Sequence, residues 1–380
     1  MNPLEKLSTF GQSPWLDDMR RGLISGGGLQ HMIDDDGVKG LTSNPAIFEE
    51  SIARSGDYDG AIRRLSRRDK SVEEIYQILT TEDVQHAADL FRPIYDETGG
   101  ADGFVSYEVS PKLAKDAEGT LKEARHLWKV IDCPNLMIKV PATEEGLPII
   151  QQLISEGINV NVTLIFGLPR YKLVTKAYID GLKERVARGE SVERVASVAS
   201  FFLSRIDTIL DPQLEEIAKE GGERGERARS LVGEVAVASA KMAYVAYKET
   251  FEGPEFAELK AQGARPQRLL WASTGTKNPA HATNKYIEPL IGPNTVNTMA
   301  QKTLNLYRKS GKPALTIEKD ADKADQKLKT LESLGFSIDE ATEKLENEGV
   351  EKFITPFGSL METLAKAREE ALEEHNLALS

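Results

Sequence analysis

The sequence predicts an α/β chain folded as a (β/α)8 TIM barrel with additional C-terminal helices. Three observations carry this expectation. Eight short β-type segments recur along the chain, most of them followed by a helical stretch, which is the pattern of βα units. Polar residues recur at i, i+2 spacing near the ends of those segments, so each pair shares one strand face. No G-x-G-x-x-G follows an early strand, which removes the usual sign of an open doubly wound sheet.

The strands are expected near Pro14–Asp17, Gly40–Asn44, Phe104–Val109, Leu136–Val140, Asn159–Ile165, Val198–Phe202, Leu269–Ser273 and Thr295–Thr298. Their paired residues are Trp15 and Asp17, Thr42 and Asn44, Ser106 and Glu108, Met137 and Lys139, Asn161 and Thr163, Ser200 and Phe202, Trp271 and Ser273, and Thr295 and Asn297. One such pair is an ordinary strand exit. Eight of them would converge on one pocket at the C-terminal mouth of a barrel. Helices are expected over Val72–Glu97, Pro111–Trp128, Glu145–Glu156, Pro169–Ala187, Ser230–Thr250 and the acidic Asp322–Glu348. The glycine- and charge-rich Lys219–Arg229 reads as a loop between two helices. Beyond the last strand, Ala300–Ser380 reads as helical, with a capping-box candidate in Ser337 and Glu340. Phe353, Phe357, Leu360 and Leu364 form an apolar stripe suited to docking on the barrel. The domain expectation is a single unit over 1–380, with barrel strands at roughly 14–300 and a helical extension over 300–380.

The 380 residues carry a formal net charge of −12. Such a balance argues against nonspecific binding to nucleic acid or to an anionic membrane. An anionic ligand would need local basic groups. The lone Cys133 excludes an intrachain disulfide and reads as a small buried hydrophobe before the fourth strand. His31, His86, His126, His281 and His375 form no H-x-x-H or H-E-x-x-H pattern, so no metal site is expected. Without a secretory h-region or a spanning apolar run, the chain reads as cytoplasmic. A homo-oligomer is left open.

The chemistry centres on Asn135–Glu144, where Lys139 stands inside an apolar β-type run. Desolvation disfavours the charged amine, which is how proteins prepare a lysine to attack a carbonyl and form a Schiff base. A lysine at a strand edge with its head in water is the plain alternative.

Several motifs extend this reading. Trp15-Leu-Asp17, Thr42-Ser-Asn-Pro45, Val105-Ser-Tyr-Glu-Val109, Met137-Ile-Lys-Val-Pro-Ala-Thr143, Gly157-Ile-Asn-Val-Asn-Val-Thr-Leu164 and Ser200-Phe-Phe-Leu-Ser-Arg205 occur in order. Together they resemble the successive motifs of transaldolases. Trp271-Ala-Ser-Thr-Gly-Thr-Lys-Asn278 and Ile287-Glu-Pro-Leu-Ile-Gly-Pro-Asn294 are similar to the longer members, including those fused to a glucose-6-phosphate isomerase. The resemblance implies a cofactor-free transferase of the pentose phosphate pathway that passes a dihydroxyacetone unit from a ketose phosphate to an aldose phosphate.

By the same resemblance Lys139 is the nucleophile, Asp17 the acid/base, and Glu108 with Thr163 the holders of a water. Asn44, Asn161, Ser200 and Phe202 would line the substrate, while Arg205 and Ser273 would hold phosphate. Many transaldolases carry a second arginine where this chain has Gly275, and Lys277 is the candidate substitute. Local alternatives stay open at this point. Asp17 is also a good helix N-cap, Asp18 is a rival aspartate, and Glu108 is able to pair with a cation. Asn44 and Asn161 are able to cap strand ends. The resembling fructose-6-phosphate aldolases generally carry glutamine and tyrosine where this chain has Glu108 and Phe202, which favours transfer over simple release. A non-catalytic sugar-phosphate sensor on the same barrel is the alternative from another class.

Overall fold

In the computed structural model, which describes residues 1–379, eight parallel strands pair in chain order into a closed barrel. They are β1 (Gln12–Asp17), β2 (Gly40–Thr42), β3 (Phe104–Glu108), β4 (Leu136–Pro141), β5 (Val160–Ile165), β6 (Ser197–Phe202), β7 (Arg268–Ala272) and β8 (Thr295–Met299). Each overlaps a segment expected to be a strand. Helices fill the connections, and the fold is the (β/α)8 barrel that the alternation predicts, with further helices after β8.

Register decides which side chains look inward. Cα partners in a parallel ladder point to the same side. Asp17 is paired with Thr42, Thr42 with Ser106, Glu108 with Lys139, and Lys139 with Asn161. The circuit continues through Asn161 and Val198, Ser200 and Leu270, Leu270 and Val296, and Thr298 and Trp15. It closes with one parity. Two hydrogen bonds identify this face as the interior, because each skips a strand: Thr42 to Thr298 across β1 at 2.7 Å, and Asn161 to Ser106 across β4 at 3.0 Å.

On β7 and β8 the expected inward residues Trp271, Thr295 and Asn297 fall on the wrong side, while Ser273 lies beyond β7 with φ 55° and leaves the alternation. Trp271 points outward, donating from Nε1 to the Leu290 carbonyl at 3.0 Å and packing edge-on against Phe201. Thr295 and Asn297 share that outer parity, and Thr295 bonds to Gly292 O at 2.6 Å. Their inward counterparts are Leu270, Ala272, Val296 and Thr298. Alternation could not reveal the error, since strands of a covered parallel barrel are buried on both faces.

Other differences have local causes. Lys219–Arg229 is not all loop. Gly221 and Gly222, with φ of 71° and 62°, break the chain, after which Gly222–Arg229 is helical, supported by ion pairs Glu220–Arg224 and Glu223–Arg227. The expected helix from Pro111 is a 3-10 turn, Pro111–Leu113, followed by Ala117–Ile131. The one expected from Ser230 begins at Val235. Asp322–Glu348 is divided at Gly335, φ 93°, into Ala321–Ser333 and the C-terminal helix Ile338–Leu379. Ser337 Oγ accepts from Glu340 N at 3.1 Å at the start of the latter. Cys133 is only partly buried. No helix of the described residues is long and apolar enough to cross a membrane.

The barrel floor is a polar plug. Asp102, just before β3, accepts from Trp15 Nε1 at 2.9 Å and from Ser13, with Arg268 3.6 Å away. Trp15 is fully buried. Its ring requires glycine opposite: a Cβ on Gly40 would lie 2.4 Å from Trp15 Cε2. Gly40→Ala is therefore expected to destabilise the fold by about 1–3 kcal/mol through overpacking, read as a lower urea midpoint at unchanged slope. An unchanged midpoint would mean that the indole moves freely.

Candidate active site

At the C-terminal mouth, β4 presents Lys139 with only 5% of its surface exposed. Its Nζ donates to the Ser43 carbonyl at 3.0 Å and lies 3.2 Å from Glu108 Oε2 on β3. The lysine is thus not on a bare apolar face. It stands in a polar pocket whose strand neighbours are supplied by the register. Glu108 Oε2 faces it without an aligned hydrogen bond. On β5, in register with Pro141, the Thr163 hydroxyl is also buried without a hydrogen-bond partner.

Asp17 ends β1 and accepts from the Thr42 hydroxyl at 2.7 Å. It does not cap a helix. Asp18 turns away, fastened to Arg20 by bonds of 2.6–3.0 Å. The inward aspartate is therefore Asp17. Desolvation holds the Asp17 carboxyl above its ordinary range, opposed by Lys139 and the Thr42 hydrogen bond. Desolvation likewise raises Glu108, opposed by Lys139 and reinforced by the negative charge of Asp17. Two carboxyls and one amine share a space from which water is largely removed.

Asn161 and Ser200 are deeper. Asn161 donates to Ser106 Oγ at 3.0 Å and accepts from Ser200 Oγ at 2.7 Å, forming a buried chain over β3, β5 and β6. Neither atom pair is left idle. Asn44 lies beyond the end of β2, where its Oδ1 caps the helix Pro45–Arg54 by accepting from Ala46 N and Ile47 N at 3.0 and 3.1 Å. Its strand assignment in the sequence is corrected by this cap geometry.

Phe202 closes β6 on the inner face, its ring 5.1 Å from that of Phe166. Above it stands Arg205, guanidinium carbon 5.5 Å from the ring centroid. Arg205 is half-buried with Nη1 unpartnered, and desolvation depresses its pKa against the distant pull of Glu348. Ser273 reaches the same rim through Ser204, hydroxyl to hydroxyl at 2.8 Å. Lys277 does not join this group. It is exposed and lines a separate groove with Asp211, Glu215 and His281.

Three features of the site were not read from the sequence as such. Thr42 and Thr298 link Asp17 to the opposite edge of β1. Leu164, next to Thr163, takes φ 62° at a register shift between Val162 and Ile165. A non-glycine residue in this conformation is uncommon and concentrates at functional sites. Finally the C-terminal helix crosses the mouth. It is fastened by Arg170–Glu346 at 3.0 Å and by Phe357 edge-on to Tyr76 at 5.4 Å, and it sets the Phe353 ring 5.7 Å from Lys139 Nζ. The stripe expected only to pack therefore also roofs the lysine. Its periodicity was the available signal; its target was not.

Residues 14–364 match the family model described as Transaldolase/Fructose-6-phosphate aldolase. Among curated proteins the chain is 45% identical to a transaldolase of Thiobacillus denitrificans over 95% of this chain and 99% of that protein. It is 44% identical to a transaldolase of Trichodesmium erythraeum, covering 96% and 97% of the two chains. A transaldolase of Thermobifida fusca is 45% identical with 96% and 98% covered. A barrel with a buried lysine on β4, two inward carboxyls and these near full-length similarities together show that the chain belongs to the transaldolase/fructose-6-phosphate aldolase family, alongside its transferase members.

Proposed function

We propose that the chain transfers a three-carbon dihydroxyacetone unit from a ketose phosphate, such as fructose 6-phosphate or sedoheptulose 7-phosphate, to an aldose phosphate, such as erythrose 4-phosphate or glyceraldehyde 3-phosphate. The observation that carries the proposal is the placement of Lys139 Nζ 3.2 Å from Glu108 Oε2 in a pocket walled by Asp17 and Thr163. Lys139 attacks the ketose carbonyl, and water leaves as the imine forms. Asp17 takes the hydroxyl proton as the carbon–carbon bond breaks, with the protonated imine as electron sink. The retained carbanion then adds to the incoming aldehyde, which regains that proton. Water hydrolyses the new imine and frees Lys139.

Thr163 Oγ1 has no hydrogen-bond partner and Glu108 Oε2, in ion-pair contact with Lys139, accepts no aligned hydrogen bond, which suits them to hold the water that leaves and returns. Arg205 supplies the anion clamp that an acidic chain needs, its free Nη1 and planar fork matching phosphate. Ser273 is a further donor. Asn161 and Ser200 support the pocket from below, and the Asn44 amide nitrogen remains available as a donor. Phe202 contributes no donor, leaving water activation to Glu108 and Thr163. Phosphate recognition rests on Arg205 and Ser273 without Lys277.

Borohydride added with fructose 6-phosphate is expected to inactivate the protein and to attach one reduced three-carbon unit at Lys139, read by peptide mass spectrometry. A label on another lysine, or no label, would overturn the assignment. Glu108→Gln should lower turnover about 10²- to 10⁴-fold while changing KM much less. Because both carboxyls are raised, ionisation is lost as pH falls through values above the ordinary carboxylate range of about 4. The acid limb of wild-type kcat/KM should accordingly lie above that range, and a limb within it would contradict a base role. Arg205→Ala should weaken phosphorylated substrates roughly tenfold or more, as loss of a charge-assisted hydrogen bond does. Equal weakening of unphosphorylated ketoses would make Arg205 a scaffold residue.

A further inference from the structure

Outside the barrel, a cavity of about 660 Å³ lies between the helix Val235–Phe251, the helix Ala321–Ser333 and the loop joining β7 to β8. None of the Lys139 pocket residues lines it. In a chain of net charge −12, its polar lining is mainly cationic: Lys241, Lys285, Lys319, Lys323 and Lys327 face it beside His281, against the carboxylates of Glu234 and Asp320. Two of these lysines are ordinary surface pairs, Lys323 with Asp320 at 2.7 Å and Lys327 with Glu234 at 2.7 Å. Of the others, Lys285 has only a longer contact to a carboxylate and Lys241 and Lys319 have none within ion-pair distance among the described residues.

Lys241 is 9% exposed. Its Nζ bonds only to the carbonyls of Thr316, Ile317 and Lys319, at 2.9, 3.3 and 2.6 Å, so its charge has no carboxylate at contact distance among the described residues. Lys285 lies 3.5 Å from Asp207. Both oxygens of that carboxylate are already engaged, one by Ala236 N and the other by the Tyr286 hydroxyl, each at 2.8 Å. His281 Nε2 is buried without an aligned hydrogen bond, 3.5 Å from the Asp211 carboxylate. Lys319 is exposed at the rim. A buried cation without a hydrogen-bonded counter-ion is costly, and a bound anion removes that cost.

Beside the lysines on the same two helices, Val237, Ala238 and Ala324, with Pro289 from the loop, give the cavity an apolar stretch of wall. The volume falls within the roughly 300–1,000 Å³ of small-molecule sites. We propose that this cavity binds a phosphorylated small molecule carrying a ring, its phosphates between Lys285, Lys319 and the charge of Lys241, and its ring on the apolar wall. The site is separate from the Arg205 clamp and does not depend on the reaction assigned above.

Calorimetric titration of the full chain with adenosine 5′-diphosphate and with inorganic pyrophosphate tests this. Both probes should bind saturably at one site per chain, the diphosphate nucleoside more tightly. Lys319→Glu and Lys285→Gln should each weaken binding about tenfold or more, as for a lost charge-assisted contact, whereas Arg205→Ala should leave it intact. Lys319 is on the surface, so its variant keeps the test valid if Lys285→Gln fails to fold. No saturable heat from either probe, binding indifferent to both lysine variants, or binding lost in Arg205→Ala would overturn the site. Equal affinity for the two probes would overturn the ring contact.

Discussion

A lysine ammonium nearly sealed from water is the constraint around which the mouth of this barrel is arranged. At 5% exposure Lys139 requires acceptors, and an uncompensated charge there would cost several kcal/mol. Glu108 Oε2 and the Ser43 carbonyl meet that requirement at 3.2 and 3.0 Å. The compensation is incomplete by design of the pocket. Desolvation still raises Glu108 and Asp17, so the two carboxyls hold protons more firmly than exposed ones do. Two carboxyls raised in this way sit beside the amine as proton-holding groups, which is what imine chemistry in a transaldolase asks of its residues.

The strand register makes this arrangement rigid. Glu108, Lys139 and Asn161 are consecutive partners across three strands, so their spacing follows from the ladder and not from flexible side chains. Beneath them the Ser106–Asn161–Ser200 chain uses up buried polar groups that would otherwise compete for the lysine. The floor built by Asp102, Ser13, Trp15 and Arg268 does the same at the other end of the barrel. Among the described residues, the atoms near the reacting centre without an aligned hydrogen bond are Glu108 Oε2, which keeps its ion-pair contact with Lys139, Thr163 Oγ1 and, farther out, Arg205 Nη1. Those are the atoms a water and a phosphate would use.

The roof is assembled from a distant part of the chain. Leu164, in a left-handed conformation at the register shift within β5, meets the C-terminal helix at Gly349, where a Cβ would come within 3.2 Å of its side chain. That close approach lets the helix lie low enough for Phe353 to cover Lys139. An aromatic face favours a cation while excluding water, so the roof both steadies the ammonium and keeps the local dielectric low. In this acidic protein Arg205 at the mouth and the lysine-lined cavity outside the barrel are two separate concentrations of positive charge.

The sequence by itself determined the barrel and the lysine strand, and its ordered motifs singled out Glu108, Thr163 and, with Asp18 as a rival, Asp17. These follow from period-two alternation and ordered motifs, both local properties of the chain. It also carried the apolar stripe Phe353, Phe357, Leu360 and Leu364, but without its destination. Tertiary structure decided the rest. It turned Trp271, Thr295 and Asn297 outward, because a strand buried on both faces carries no local mark of which side is the lumen. It separated Lys277 from Arg205, turned Asn44 into a helix cap, and brought Phe353 over Lys139 from more than two hundred residues away in sequence. Each of these depends on the closing of a ring of ladders or on the docking of one element upon another, and such distances are not encoded within any single segment.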